Sequence, residues 1–258
     1  MSKRYVSYTG PEFKLSGGAL KKRWAEIHRG NLEPFPDSAA AQKAWRAYHE
    51  GRFGDAVRAG EKHGDECLLP AAFAATMYTH YLEDDDDEKL DMFSFAVDLA
   101  EAAVEYDSDS ANAHFMLAVA LGRYSQFISI LEALAKGIAP RVRESVTECL
   151  ELEPDHAEAH VTLATWHAEI VDKLGSMLAG LKYGAKNRLA EEHFDTAIEL
   201  CPDSPFPYIE RANGVILMYG DDGEDEAREL LETAVNMTPV EAMQVLDIER
   251  AESQLAGL

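Results

Sequence analysis

The 258-residue sequence has no apolar run near the 18 or more residues that span a bilayer. The opening MSKRYVSYTGPEFKLSGG carries basic residues but no apolar segment behind them. It does not read as a secretory signal, and the expected location is cytoplasmic. Cysteine is scarce: Cys67, Cys149 and Cys201 are an odd number, widely spaced and without a CxxC pair. That pattern speaks against a disulfide framework or a metal cluster and leaves reduced structural thiols. Positive charge is also in short supply, with 24 Lys and Arg against 47 Asp and Glu and a net charge of -23. Such a surface repels nucleic-acid phosphates and anionic lipid, so neither nucleic acid nor membrane is expected as a partner. Catalytic signatures are missing as well: there is no GxSxG, no glycine-rich phosphate loop and no HExxH. The expectation is a non-enzyme with no cofactor and no metal.

What the chain does have is apolar content and repetition. At 47% hydrophobic residues it can bury a sizeable core. Charge is uneven: residues 1–30 hold Lys3, Arg4, Lys14, Lys21, Lys22, Arg23 and Arg29 against Glu12 and Glu26, leaving the rest of the chain strongly acidic. A basic arm over residues 1–36, partly helical or disordered, is expected ahead of a repeat domain over 37–258. The arm can dock on the acidic body in cis, dock on a neighbouring subunit, or stay a solvated tail.

Two octets, DSDSANAH (107–114) and EPDHAEAH (153–160), nearly coincide. Aligning Ser108, Pro154 and Pro202 puts a ring six residues on (His114, His160, Tyr208) and an alanine ten residues on (Ala118, Ala164, Ala212). Upstream of each break the spacing is small, +4 bulky, +7 small, then +12 proline. It runs Ala190, Phe194, Ala197, Pro202 and again Ala227, Leu231, Ala234, Pro239. Ala96, Ala100, Ala103, Ser108 and Val142, Val146, Cys149, Pro154 are variants of it. Positions 0, 4 and 7 share one helix face, and small residues there admit a neighbouring helix. Proline then stops the helix because it lacks an N–H and disfavours helix in the residue before it.

In these residues the chain resembles the tetratricopeptide repeat family over roughly 90–240, with a further degenerate pair in AWRAYHEGRFGDAVRAGE (44–61) and a closing helix in 240–258. Residues 158–202 are also similar to regulator of microtubule dynamics proteins. The tetratricopeptide resemblance implies an all-α fold, a right-handed superhelix of antiparallel helix pairs in about four to five units, with a concave groove lined by the first helix of each pair. Carried over by offset, the groove residues are Asn112, Phe115, Met116, Val119 and Arg123, then Val161, Thr162, Thr165 and Glu169, then Ile209 and Asn213. Glu158 and Glu210 belong to the same inward series. The Lys-and-Asn carboxylate clamp of some members is not matched, since only Asn213 stands at such a position.

The chain departs from the 34-residue unit, because its anchors lie 46, 48 and 37 apart. The extra length is QFISILEALAKGIA (126–139) and VDKLGSMLAGLKYGA (171–185), both apolar at helical spacing. Each insert is expected to lengthen the first helix and add a glycine-broken crossing to the second. Their apolar stripes either bury each other or form a pocket wall or a self-association face. His156, His160 and His167 share a helix face but occupy repeat core slots, which reads as packing rather than metal binding. The acidic run EDDDDEKLD (83–91) lacks a calcium loop's glycine after its acids and reads as a solvated loop between helices, and DDGED (221–225) reads as the matching short turn of the last unit.

The function expected is a cytoplasmic binding or scaffold module that takes a peptide or protein segment in its groove. The alternative is a carrier of an apolar or anionic small molecule held between the inserts. Homo-oligomerisation through 126–139 and 171–185 is a further expectation.

Overall fold

The computed structural model describes residues 5–258. Lys3 and Arg4, counted with the basic arm, lie outside the described residues. Among the described residues the fold is all-α, with no strand. The helices are α1 (Ala19–Ile27), α2 (Ala39–His49), α3 (Phe53–His63), α4 (Leu68–Leu82), α5 (Asp86–Tyr106), α6 (Ala111–Ser125) and α7 (Ile130–Ala135). After them come α8 (Ile138–Leu152), α9 (Ala157–Leu174), α10 (Ser176–Tyr183), α11 (Asn187–Leu200), α12 (Pro205–Tyr219), α13 (Glu224–Val235) and α14 (Ala242–Leu255).

The chain divides into two compact units. One comprises the residues up to His28, then Leu32–Leu152 and Val240–Met243; the other comprises Arg29–Asn31, Glu153–Pro239 and Gln244–Leu258. In the first, α2 packs with α3, α4 with α5, and α6 with α8, while α2, α4 and α6 also pack in succession. In the second, α9 packs with α11 and α12 with α13, and α9 lies against α12.

The small-bulky-small spacing accounts for these pairings. Ala96, Ala100 and Ala103 of α5, Val142, Val146 and Cys149 of α8, and Ala227, Leu231 and Ala234 of α13 are all buried. In the second unit Ala190, Phe194 and Ala197 of α11 interlock with Val161, Ala164 and Ala168 of α9. Gly214 of α12 lies so close that a Cβ there would stand 2.4 Å from the Phe194 ring.

The duplicated octets are explained by one bond made three times. The ring six residues after each anchor donates to the anchor's carbonyl: His114 Nε2 to Ser108 at 2.9 Å, His160 Nε2 to Pro154 at 3.0 Å, and Tyr208 Oη to Pro202 at 3.2 Å. A carbonyl in the turn between two helices is thereby satisfied from the helix that follows. Caps follow the same breaks, with Ser110 accepting from the Ala113 N–H and His156 Nδ1 from the Ala159 N–H. His156 is thus an N-cap as well as a buried residue. The acidic run at 83–91 also resolves into a cap, with Asp85 accepting from the Asp87 and Glu88 N–H groups.

The basic arm is structured where it is described. Leu20, Trp24 and Ile27 bury one face of α1. Leu15 is tied to α2 and the residue after it by its N–H to Glu50 Oε1 and its carbonyl to Arg46 Nε, both at 2.9 Å. Lys21 and Lys22 are exposed while Arg23 is half-buried beside that face, so charge alone hid an apolar stripe. The inserts follow expectation in part: α9 is lengthened by residues 171–174 of the second insert, whereas α6 is not lengthened, and most of the added residues form the short separate helices α7 and α10. Gly175 and Gly184, both at positive φ, bracket α10.

Phe194→Ala opens a cavity at the centre of the α9–α11 pair. The expected loss is about 3–5 kcal/mol of stability, read as a lower denaturant midpoint with an unchanged m-value.

Candidate functional site

The structure distributes the eleven groove candidates over both units and treats them unequally. Asn112, Phe115 and Met116 of α6 are buried in the first unit, and Val161 and Ile209 are buried in the second. Phe115 faces Phe73 of α4, with ring centroids 6.0 Å apart, so the chain itself fills the slot expected to receive a partner. Half-buried positions remain: Val119 and Arg123 on α6, Thr162, Thr165 and Glu169 on α9, and Asn213 on α12. Three of these are engaged locally. Thr162 donates to the Glu158 carbonyl, Glu169 pairs with Lys173 at 2.8 Å, and Asn213 Oδ1 accepts from Gln254 Nε2 of α14 at 2.9 Å. Glu210, also in the inward series, accepts from Arg250 of α14 at 2.8 Å. The closing helix therefore covers the inward face of α12.

Residues 29–33 engage the starts of α6 and α9. In the first unit the Asn112 side chain hydrogen-bonds Glu33, whose carboxyl is raised by burial to about 8. The Glu33 carbonyl accepts from Trp24 Nε1 at 2.6 Å. In the second unit the Glu158 N–H donates to the Gly30 carbonyl at 3.0 Å. Asn31 Nδ2 reaches Glu158 Oε2 at 3.5 Å, and Arg29 pairs with Asp203.

Sequence reading missed a buried polar chain in the first unit. His49 Nδ1 meets Glu241 Oε2 at 2.5 Å, and His49 Nε2 meets His28 Nε2 at 3.0 Å. All three residues are buried, with Trp24 4.0 Å from the His28 ring and Trp45 stacked on His49. Burial raises the Glu241 carboxyl to about 8 and lowers His49 to about 3. Both groups are then neutral at neutral pH: Glu241 donates its proton to Nδ1, and His49 Nε2–H donates to His28. The Arg23 guanidinium donates to the Val240 carbonyl at 2.8 Å beside it. Sealed from solvent, this chain offers no surface to a substrate; it fastens residues 240–243 to α1 and α2. The signal in the sequence was a lone acid in the apolar run PVEAMQVL, but nothing local joins it to His49.

Other sequence candidates resolve as follows. His160 Nδ1 and His193 Nδ1 meet at 2.8 Å, and His167 stacks on His193. Among the described residues no group of three His, Cys, Asp or Glu is placed to hold a metal ion. No helix there is long and apolar enough to cross a membrane. The first insert's stripe is split, with Phe127 packed on Phe93 and Ile138 buried, whereas Ile130, Leu131 and Leu134 of α7 and Met177, Leu178 and Leu181 of α10 are exposed, Leu131 at 80% and Met177 at 87%. α7 and α10 are short and bracketed by turns, and they hold their apolar faces away from the hairpins that carry them.

A family model described as regulator of microtubule dynamics protein 1-3 matches residues 56–202. The match runs from α3 to the third anchor, Pro202, and includes both octets. No curated protein matches the chain.

The buried chain makes stability depend on pH in both directions. Glu241, raised to about 8, contributes stability that is full below its unfolded range and lost as pH rises through about 8. His49, lowered to about 3, contributes stability that is full above its unfolded range and lost as pH falls toward 3. Calorimetry between pH 6.5 and 8.5 should show a falling melting temperature. Glu241→Gln, which keeps a donor for Nδ1, should flatten that limb relative to wild type.

Proposed function

The chain belongs to the regulator of microtubule dynamics protein 1-3 family, and from that premise we propose that it is a non-enzymatic binding protein that recruits a protein segment along the first helices of its hairpins. The hairpins are read as tetratricopeptide-like, stacked with a right-handed turn within each unit. The family's name makes regulation of microtubules the first setting for such recruitment, and the proposed location is cytoplasmic. One observation carries the reading: within the second unit the start of α9 already holds a non-helical segment, residues 29–31, through a backbone and a side-chain amide hydrogen bond. Faces that accept one such segment are chemically suited to another. The lining open to a partner is Val119 and Arg123 in the first unit and Thr162, Thr165 and Glu169 in the second. The buried Phe115 and Met116 act from beneath by shaping α6.

A second reading is supported by the exposed inserts. Six large apolar side chains on α7 and α10 favour self-association over a carrier's enclosed cavity.

Thr165→Arg and Arg123→Glu change half-buried lining outside the core. Each should weaken a captured protein partner at least tenfold, about 1.4 kcal/mol, with an unchanged melting temperature. Undiminished capture by both variants overturns the groove reading. Light scattering across concentration tests self-association: Leu131→Asp and Leu181→Asp should lower an average mass that rises with concentration in wild type, and a concentration-independent monomer mass removes that reading.

A further inference from the structure

Residues 173–190 contain no aspartate or glutamate, in a chain whose net charge is -23. They carry Lys173, Lys182, Lys186 and Arg188, all exposed. Acids just outside the stretch take up two of these charges: Lys173 pairs with Glu169 at 2.8 Å, and Arg188 pairs with Glu192. Of the other two, Lys182 stands with its ammonium 5.1 Å from the Tyr183 ring centroid, and Lys186 is the residue that precedes α11. Exposed charges more than about 8 Å away are largely screened at physiological ionic strength. The surface around α10 therefore presents positive charge to a partner, whatever the average over the chain.

Helix α10 lies in the middle of this stretch, and its attitude is fixed from one side. Its end is closed by the Gly184 N–H on the Gly180 carbonyl at 3.1 Å and the Ala185 N–H on the Ala179 carbonyl at 3.2 Å. Ala179 and Ala185 are fully buried, and Tyr183 meets the Trp166 ring of α9 edge-on. Helix pitch then sends Met177 and Leu181 to the face opposite Ala179. They are 87% and 85% exposed, with Leu178 beside them at 48%. Three side chains on a helix about 12 Å long fall far short of the roughly 800 Å² per partner that a stable protein interface buries. They also project as a ridge, which a folded partner could cover only with a matching groove. A lipid headgroup layer is fluid and closes around a ridge without one, and apolar side chains backed by lysines are what such a layer holds.

We infer that α10 docks the protein on the surface of an anionic bilayer: Met177, Leu178 and Leu181 enter the headgroup region while Lys182 and Lys186 bind its negative headgroups. The net charge that argues against lipid is an average over the chain, and α10 is where that average fails. A single short ridge with two lysines gives reversible, salt-sensitive attachment rather than a permanent anchor. This goes beyond protein recruitment and gives the exposed face of α10 an occupant other than a second copy of the chain.

The test is flotation of the full chain with vesicles of equimolar phosphatidylglycerol and phosphatidylcholine. Wild type should float with them, and its partitioning should fall at least tenfold on vesicles of phosphatidylcholine alone. Met177→Asp with Leu181→Asp, and separately Lys182→Glu with Lys186→Glu, should each lower partitioning at least tenfold with unchanged helical circular dichroism. Wild type that stays off the anionic vesicles overturns the proposal, and so does undiminished flotation of either folded double variant. Leu131→Asp on α7 should leave partitioning within about twofold, and a loss there as large as on α10 overturns the assignment to α10. Light scattering without vesicles separates the other occupant: a mass that rises with concentration and falls in the aspartate pair, with no flotation of wild type, gives this face to a second copy. If a double variant fails to fold, Met177→Cys carrying an environment-sensitive fluorophore decides, since the native cysteines are buried. Its emission should shift to the blue on the anionic vesicles, and unshifted emission overturns the proposal.

Discussion

Close approach between helices is the constraint on which the rest of this protein depends. Ala96, Ala100, Ala164, Ala168, Ala190, Ala197, Ala227 and Ala234 are all shielded from solvent, and each lies where a larger side chain would push two helices apart. Backbones brought this near leave little room for long side chains between them, so packing relies on many small contacts and a few large rings such as Phe194. The same closeness fixes where each helix must stop. Carbonyls in the turns that follow then need donors, and His114, His160 and Tyr208 supply them.

This explains how much of the fold was legible in sequence. Spacings of 4, 7 and 12 residues follow from helix pitch and a proline stop, which are local, so the hairpins and their buried faces could be read directly. The ring at +6 was visible as a recurrence, although its bond to the anchor carbonyl was not, since recurrence shows position without partner. The inserts were visible as departures in length. Their apolar spacing gave helices correctly, but amphipathic spacing cannot say whether a face finds a neighbour, and on α7 and α10 it does not.

The candidate site was legible only in outline. Offsets placed Asn112, Phe115 and Val161 on the inward faces of first helices, yet inward in a repeat does not mean open. Phe73 fills the space before Phe115, and Glu33 takes the Asn112 amide. Contacts between residues far apart in the chain were beyond any local pattern: Arg29 with Asp203, Gly30 with Glu158, and His49 with Glu241 are set by the finished fold. The net charge was informative about the chain as a whole but misleading for its first thirty residues, where lysines and arginines share helix α1 with buried Leu20, Trp24 and Ile27.

The bond between His49 and Glu241 joins residues 192 positions apart, and Val240–Met243 are part of the first unit although 87 residues of the second, Glu153–Pro239, precede them. The ribosome therefore delivers the first unit in two instalments. While the nascent chain extends through α9 to α13, the His49 imidazole and the neighbouring Trp24 and Trp45 rings wait without the segment that closes over them. Completion of the earlier-begun unit waits for the arrival of Glu241, and the second unit in turn waits for Gln244–Leu258, so neither unit has its full sequence until the last helix is made.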